Sequence, residues 1–462
     1  MPVRVDNEIY FSAAEVAQVC GVSRQTVWRW RQAKLIPTGR TTHRRTVVFS
    51  DTEVELIRSR ASRLADRRSP VSTEIYLDNA ASTRPLGIVV DAMARAMAAD
   101  FGNPSSAHGA GRRARQAVED AREQVAGLVG GDRTHVTFTS GGTEANYTIV
   151  RAALARGMRR LVTSAVEHSS VFGAAELFVA AGGTVTVIPV TAEGLVHPAA
   201  LLEARPGPDT LVSIQWANNE TGVIQPVSEL AAIAKGSGAL VHCDAAQAVG
   251  KLELDFMASA VDAITISAHK IHGPQGVGAL LAKRTLTLAS FSTGGSQEGG
   301  RRVGTENYPG IVGMGVAAEH RTGSMRVFLR NARGLRDHLE QRLLSAFTGT
   351  VVHGASAPRV CCLGNLRIDS VDGQALIAQL DAASVRLSQT SACTNMQPEP
   401  SHVLRAMGLS DSQAYASFRY AVSEDSTFEE VDAATDLIVA AATRLGAEPR
   451  VHRTRSSDKE AA

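Results

Sequence analysis

The residues of this 462-residue chain with the most chemical capacity gather around one lysine. Thr265, Ile266, Ser267, Ala268, His269, Lys270, Ile271, His272, Gly273 and Pro274 place Lys270 just past a buried strand, and Gly276, Val277 and Gly278 read as a flexible stretch after it. That position suits a Schiff-base lysine, although a surface lysine in a turn is the commoner reading of any single Lys. A Schiff base to an electron-sink cofactor also needs a phosphate cradle, a carboxylate for a ring nitrogen and an aromatic lid. Ser140, Gly141, Gly142, Thr143, Glu144, Ala145 and Asn146 form a glycine turn between a strand and a helix, where helix-start amides favour phosphate. Asp244, ending the run Leu240 to Cys243, could pair with a ring nitrogen, and Gln247 could reach the same ligand. A plain helix N-cap is the alternative reading of Asp244.

The second chemical feature is a cysteine. Cys393 lies in Ser388, Gln389, Thr390, Ser391, Ala392, Cys393, Thr394 and Asn395, a polar stretch of small residues that reads as a mobile loop and would expose a nucleophilic thiol. Cys243 and Cys20 read as inert packing. Cys361 and Cys362 fall in the strand-like run Val360 to Ile368 and read as structural. No spacing among the five cysteines suggests disulfides or zinc, which fits a reducing compartment.

The elements that must position these residues alternate. Val136 to Thr139, Leu161 to Val166, Thr184 to Val190, Leu211 to Gln215, Leu240 to Cys243 and Ala263 to Ile266 read as strands, with helices such as Gly111 to Leu128 and Val227 to Ala234 between them. Near-continuous apolar strands separated by helices predict an α/β domain with a parallel-rich sheet covered on both faces. After about Arg321 the pattern turns to long helices with few strands, a smaller α+β lobe.

In order and content these pieces resemble the group I cysteine desulfurases, which are fold-type I pyridoxal-phosphate enzymes. The resemblance runs from about Tyr76 to Leu445. It rests on Tyr76 to Ala81; Gly102 to Ser106 with His108; Thr139 to Asn146; Glu167 and His168; Asn218 to Gly222; Asp244 to Gln247; Ser267 to Lys270; Gly304 to Asn307; and Ser391 to Thr394. Such a resemblance implies that Lys270 carries pyridoxal 5'-phosphate, His168 stacks on its ring, Asp244 pairs with the ring nitrogen and Gln247 contacts the phenolic oxygen. It further implies that Gly142, Thr143, Ser267 and His269 hold the phosphate, with Thr305 reaching in from the partner subunit of a homodimer. On the same resemblance, Asn219 and Arg419 would take the substrate carboxylate. L-cysteine would become L-alanine while Cys393 keeps the sulfur as a persulfide for an acceptor protein or scaffold. The chain departs from the family at Thr390, where glycine is usual, and at Ser423 and Glu424, where Gly then Arg often follows, so loop mobility and substrate grip are expected to differ.

The front of the chain is another kind of sequence. Ser12 to Val19 reads as a helix capped by Ser12 and Glu15, and Arg24 to Ala33 as a second helix. Thr46 to Phe49 reads as a strand after a basic turn, and Asp51 to Ala65 as a helix with Val54, Leu56, Ile57 and Leu64 on its apolar face. Residues 9–60 resemble a mostly helical winged helix-turn-helix of the excisionase and mercury-regulator kind. That resemblance offers Arg24, Gln25 and Arg29 to a major groove, and Arg40, His43, Arg44 and Arg45 to phosphate as a wing. A basic hairpin that binds a protein is the alternative. Residues 1–70 hold 13 Lys and Arg against 7 Asp and Glu, while the remainder holds 35 against 39, so a cationic module precedes a nearly neutral body.

The expected organisation is a DNA-binding module over 1–67, a linker over 68–74, a large cofactor-binding domain over 75–320, a small domain with the Cys393 loop over 321–447 and a tail over 448–462. A composition of 44% hydrophobic and 20% charged residues belongs to a globular protein with a large core. With no signal-peptide pattern or apolar run of membrane-spanning length, the expected location is the cytoplasm. Two other readings fit the same residues: a pyridoxal-phosphate transcription regulator that senses an amino acid without turning it over, and a selenocysteine lyase.

Overall fold

The computed structural model describes residues 3–5, 8–19, 27, 31, 37–41, 47–50, 53, 54, 57, 74–283, 286, 288, 290, 293–389 and 399–450. They fall into two units, Met1–Glu74 and Ile75–Ala462.

In the first unit, β1 (Val3–Val5), β2 (Glu8–Ser12), β3 (Arg40–Thr41) and β4 (Val47–Ser50) form a sheet in the order β1-β2-β4-β3, and α1 (Ala13–Val19) follows β2. The hairpin of β1 and β2 is an addition to the expected elements: Val3 with Val5 and Ile9 with Phe11 each give an alternation too short to signal a strand. The Ser12 and Glu15 capping box is present: Ser12 N donates to Glu15 Oε2 at 2.8 Å and Glu15 N to Ser12 Oγ at 3.4 Å. Ser50 and Glu53 repeat it at 2.9 and 3.3 Å. Val16, Ala17, Val27, Phe49, Val54 and Ile57 make the small core, so two of the four proposed apolar positions after Asp51 are buried, while Leu56 and Leu64 lie outside the described residues.

The second unit opens with β5 (Ile75–Tyr76), α2 (Gly87–Ala98) and α3 (Gly109–Gly127). It continues through β6 (Val136–Thr139), α4 (Gly142–Ala155), β7 (Arg160–Ser164), α5 (Ser169–Ala180), β8 (Thr184–Ile188), α6 (Pro198–Glu203) and β9 (Thr210–Ser213). Next come α7 (Val227–Gly236), β10 (Leu240–Asp244), β11 (Ala263–Ser267) and β12 (Gly278–Ala282). The seven-stranded sheet has the order β6-β12-β11-β10-β9-β7-β8, and only β12 runs against its neighbours.

Side chains alternate across this sheet. Leu161, Leu211, Leu240, Ala263 and Leu280 enter a core with Ile149 of α4 and Phe178 of α5. Their neighbours Val162, Val212, Val241, Ile264 and Leu281 enter the main core on the other face. The expected parallel-rich sheet covered on both faces is therefore observed. Gly278, read as part of a flexible stretch, instead begins β12: a Cβ there would sit 2.6 Å from the Ile266 carbonyl oxygen and 2.8 Å from the Gly141 backbone. Glycine serves close backbone approach here rather than mobility.

The chain then enters α8 (Tyr308–Ala346), one helix of 39 residues that runs through positions 320 and 321, where the sequence texture changes. Its early turns pack on α2 and α3, with Gly313 against Met93 and Gly315 against Ala121. β13 (Thr350–Val352), β14 (Leu363–Ile368), α9 (Gly373–Ala382), β15 (Val385–Arg386), α10 (His402–Ala406), α11 (Asp411–Tyr415), β16 (Ser417–Ala421) and α12 (Phe428–Arg444) complete the unit. An antiparallel sheet β13-β14-β16 forms there, and β15 pairs with β5. Cys361 and Cys362 precede β14 rather than lying in it, because Leu363 is the first residue paired with β16.

The late turns of α8 carry a buried ionic cluster. Glu340 is gripped by Arg359 through Nη1 at 2.6 Å and Nη2 at 2.9 Å, and Tyr420 Oη donates to Glu340 Oε1 at 2.5 Å. Glu340→Ala leaves a buried guanidinium unpaired, so stability falls by about 3–5 kcal/mol. The expected readout is a lower urea midpoint with an unchanged slope.

Candidate active site

The cradle begins where β6 hands over to α4. Gly141 is the N-cap of α4 and no side chain caps it, which leaves the amides at the helix start for a ligand. Ser140, Gly141, Gly142 and Thr143 line a cavity of about 290 Å3 with Ala81, Ser82, Ser267 and His269. Four sequence candidates, Gly142, Thr143, Ser267 and His269, are thus brought together. His269 Nδ1 lies 3.3 Å from Ser82 Oγ. Burial first, then Lys270, Lys251 and His168, lower the His269 pKa to about 4.

Lys270 follows β11 in a short 3-10 turn. Its Nζ donates to the carbonyls of Ala80 at 2.6 Å and Ala81 at 2.8 Å. Gln247 Nε2 donates to the same Ala80 carbonyl at 2.8 Å, so one turn carries the lysine and the amide meant for the phenolic oxygen. The buried ammonium of Lys251 donates to Gln247 Oε1, which fixes the orientation of that amide and leaves Nε2 as the end with a second hydrogen to give. Lys251 was not singled out in the sequence, where it is simply a lysine four residues after Gln247.

Behind Lys270 lies a hollow of about 10 Å3, lined among others by Lys251, Arg321, Cys362 and Ser423. The Cys361 and Cys362 pair, read as structural, is buried there; a hydrogen bond from Cys361, Lys251 and Arg321 favour the thiolate of Cys362 against burial. Glu424, one of the two departures after Arg419, pairs with Arg321 at 2.9 Å and His320 at 3.0 Å. Cys243 is buried in β10, and desolvation raises its thiol pKa well above the usual range.

Asp244 ends β10 and is buried; its Oδ1 accepts from Ala246 N at 3.0 Å and its Oδ2 from Asn146 Nδ2 at 2.8 Å. His168 caps α5, with Nδ1 accepting from Ser170 N at 3.2 Å. Its pKa is lowered, first by burial, with Asp244 opposing and Lys270 and His402 adding to the effect. Beside it, burial raises the Glu167 carboxyl to about 8, although Ser164 and Gln215 donate to it.

Arg419 of β16 is buried at the other end of the site. Nη1 donates to the Asn219 carbonyl at 3.0 Å and Nη2 to Asp78 at 2.8 Å, while Nε and the Asn219 Oδ1 are buried without a hydrogen-bond partner. Burial raises Glu220 to about 7, opposed by Ser401 and Arg419. Thr305 is exposed and does not line the cradle of its own chain. The loop before it is held by Glu298, which takes Arg122 in a two-pronged grip at 2.8 and 2.7 Å and accepts from Phe138 N at 2.8 Å. Cys393, Thr390, Cys20, Arg24, Gln25, Arg29, His43, Arg44 and Arg45 lie outside the described residues; Arg40 is exposed on β3.

The donor set suits pyridoxal phosphate: helix-start amides with Ser267 and His269 for a phosphate, a buried carboxylate for a ring nitrogen, a fixed amide for a phenolic oxygen, and a lysine at the strand end. Fold and site together define a pyridoxal-phosphate enzyme of the class-V aminotransferase type, and residues 75–434 match the family described as Aminotransferase class-V. Within that family the chain belongs to the cysteine desulfurases. It is 40% identical over 375 residues to a cysteine desulfurase of Nostoc sp., covering 81% of this chain and 94% of the relative. A solved NifS-like protein superposes with a TM-score of 0.75 at 32% identity, over 80% of this chain and all of the other. A second structure, SspA in complex with cysteine, gives 0.68 at 30% identity, over 75% and 98%. Residues 10–56 match a family described as Helix-turn-helix domain. Among the described residues, no helix is long and apolar enough to cross a membrane.

Proposed function

We propose that this enzyme converts L-cysteine to L-alanine, keeps the sulfur on Cys393 as a persulfide, passes it to an acceptor protein or scaffold, and contacts DNA through its N-terminal module. The observation that supports Cys393 most is how the chain is anchored on both sides of it. Ser388 exchanges backbone hydrogen bonds with Arg419 at 3.2 and 2.8 Å, and Ser401 Oγ donates to Glu220, next to Asn219. Cys393 is five residues from Ser388, a span of at most roughly 18 Å, and such a tether is compatible with its sulfur meeting an amino acid held at Arg419.

Bound at Lys270, the cofactor supplies the electron sink for chemistry at the substrate α-carbon. The orphaned Arg419 Nε and the Asn219 side chain are the groups for the substrate carboxylate, and Asp78 with the Asn219 carbonyl fixes the guanidinium plane. His168, neutral near pH 7 through burial, can exchange a proton with the substrate. The Cys393 thiolate then attacks the substrate sulfur: an S–S bond forms as the Cβ–S bond breaks, and the three-carbon fragment gains a proton to leave as L-alanine. Thr305, exposed on its loop, completes the cradle of a second copy in a homodimer. The test is stoichiometric: purified holoenzyme with L-cysteine should give one alanine per persulfide, and no alanine would refute the reading.

For DNA, the match over residues 10–56 and the cationic front support Arg24, Gln25 and Arg29 at base edges with Arg40, Arg44 and Arg45 at phosphate. Two modules on a dimer gain affinity through effective concentration. Affinity should fall steeply with salt, and Arg40→Ala should lessen the log–log slope by about one. An unchanged slope removes Arg40 from the phosphate contacts.

A further inference from the structure

The residue expected to stack on the cofactor and the carboxylate expected to pair with its ring nitrogen are joined by two side chains that the reaction itself does not call for. Asn146, on the second turn of α4, is buried. Its Nδ2 donates to Asp244 Oδ2 at 2.8 Å and to Ser170 Oγ at 2.9 Å. Ser170 Oγ lies 2.8 Å from His168 Nδ1, which also accepts from the Ser170 amide at 3.2 Å.

The direction of every proton in this chain follows from one end. A carboxylate only accepts, so the Asn146 amide must turn its NH2 toward Asp244; the flipped amide would set oxygen against oxygen. It holds that orientation although its Oδ1 is left buried without a partner, a cost that packing alone does not explain. Both Nδ2 hydrogens are then committed, one to Asp244 and one to the Ser170 hydroxyl. That hydroxyl, already accepting, has its own hydrogen to give, and the neighbouring acceptor is His168 Nδ1. With two donors directed at it, Nδ1 carries no hydrogen.

We propose that Asn146 and Ser170 are positioning residues that tie the Asp244 carboxylate to the His168 ring and hold it as a neutral imidazole with its proton on Nε2. This deepens the desulfurase reading and rests on it for its purpose: Nε2 becomes the nitrogen of His168 through which a proton passes to or from substrate. Protonating Nδ1 forces the Ser170 hydroxyl to turn away and leaves the Ser170 amide without its acceptor. The surroundings act on the same equilibrium: burial, Lys270 and His402 disfavour the imidazolium, a cationic His269 would as well, and Asp244 favours it. The Ser170 hydroxyl acts beside these groups and can be removed without touching a charge.

The experiment follows the pH dependence of His168 modification by diethyl pyrocarbonate, which reacts with unprotonated imidazole, in the holoenzyme by peptide mass spectrometry, beside the acid limb of L-cysteine turnover. Ser170→Ala removes one of two donors to Nδ1 and is expected to raise the midpoint by about half to one pH unit, so that modification on the acid side slows about threefold to tenfold. Ser170→Thr keeps a hydroxyl and is expected to keep the wild-type midpoint. A Ser170→Ala midpoint equal to wild type overturns the proposal, as does a Ser170→Thr midpoint displaced like that of alanine. Because the modification rate is read without turnover, absent alanine formation in wild type would defeat the desulfurase reading while leaving the His168 measurement to decide this one.

Discussion

Lys270→Ala is expected to abolish covalent cofactor attachment and lower L-cysteine turnover by more than about 10^3-fold, because the proposed reading makes this one side chain both the covalent anchor and a proton-transfer group. The cradle survives the change. Its lining of Ser140, Gly141, Gly142, Thr143, Ser267 and His269 involves no atom of the Lys270 side chain, so the variant should still bind the cofactor reversibly. The measurement is borohydride reduction followed by denaturation: wild type keeps the label on the peptide containing Lys270, and the variant releases it. The substitution also deletes the bonds to the Ala80 and Ala81 carbonyls, so its melting temperature without cofactor should be recorded to separate chemistry from folding. A variant that still turned over L-cysteine at a tenth of the wild-type rate would remove Lys270 from the reaction.

Much of this site was legible because its parts sit at strand ends. With Thr139 read as the end of one strand, and Asp244 and Ser267 as the residues next after two others, a parallel-rich sheet had to bring Gly142, Gln247 and Lys270 to one edge. What stayed hidden is what depends on contacts between distant segments. Lys251 acts through Gln247, Asn146 joins Asp244 to Ser170, and Asp78 meets Arg419 across more than three hundred residues. No local pattern announces such pairings, since each residue is ordinary in its own helix or turn. Cys361 and Cys362 show the same limit: a strand-like run reads as structural, and nothing in it points to the hollow that Cys362 shares with Lys251 and Arg321. Gly278 was misread because glycine serves both mobility and close approach, and only the antiparallel β12 against β11 decides between them.

Cys393→Ala is the substitution that separates binding from sulfur transfer, and its expected result is a loss of persulfide and of alanine formation to background. The cofactor should respond to L-cysteine nearly as in wild type, since Lys270, Asp244, His168, Arg419 and Asn219 are all intact. The spectral change on adding L-cysteine is therefore retained while the products vanish. The thiolate is the attacking form, so Cys393→Ser should fall with alanine rather than rescue: a hydroxyl near neutral pH supplies almost no anion. The same pair of measurements decides between an enzyme and a sensor joined to a helix-turn-helix module. If wild type and Cys393→Ala both shift the band and neither yields alanine, the chain uses its cofactor to detect an amino acid; products from wild type alone assign the sulfur transfer to Cys393.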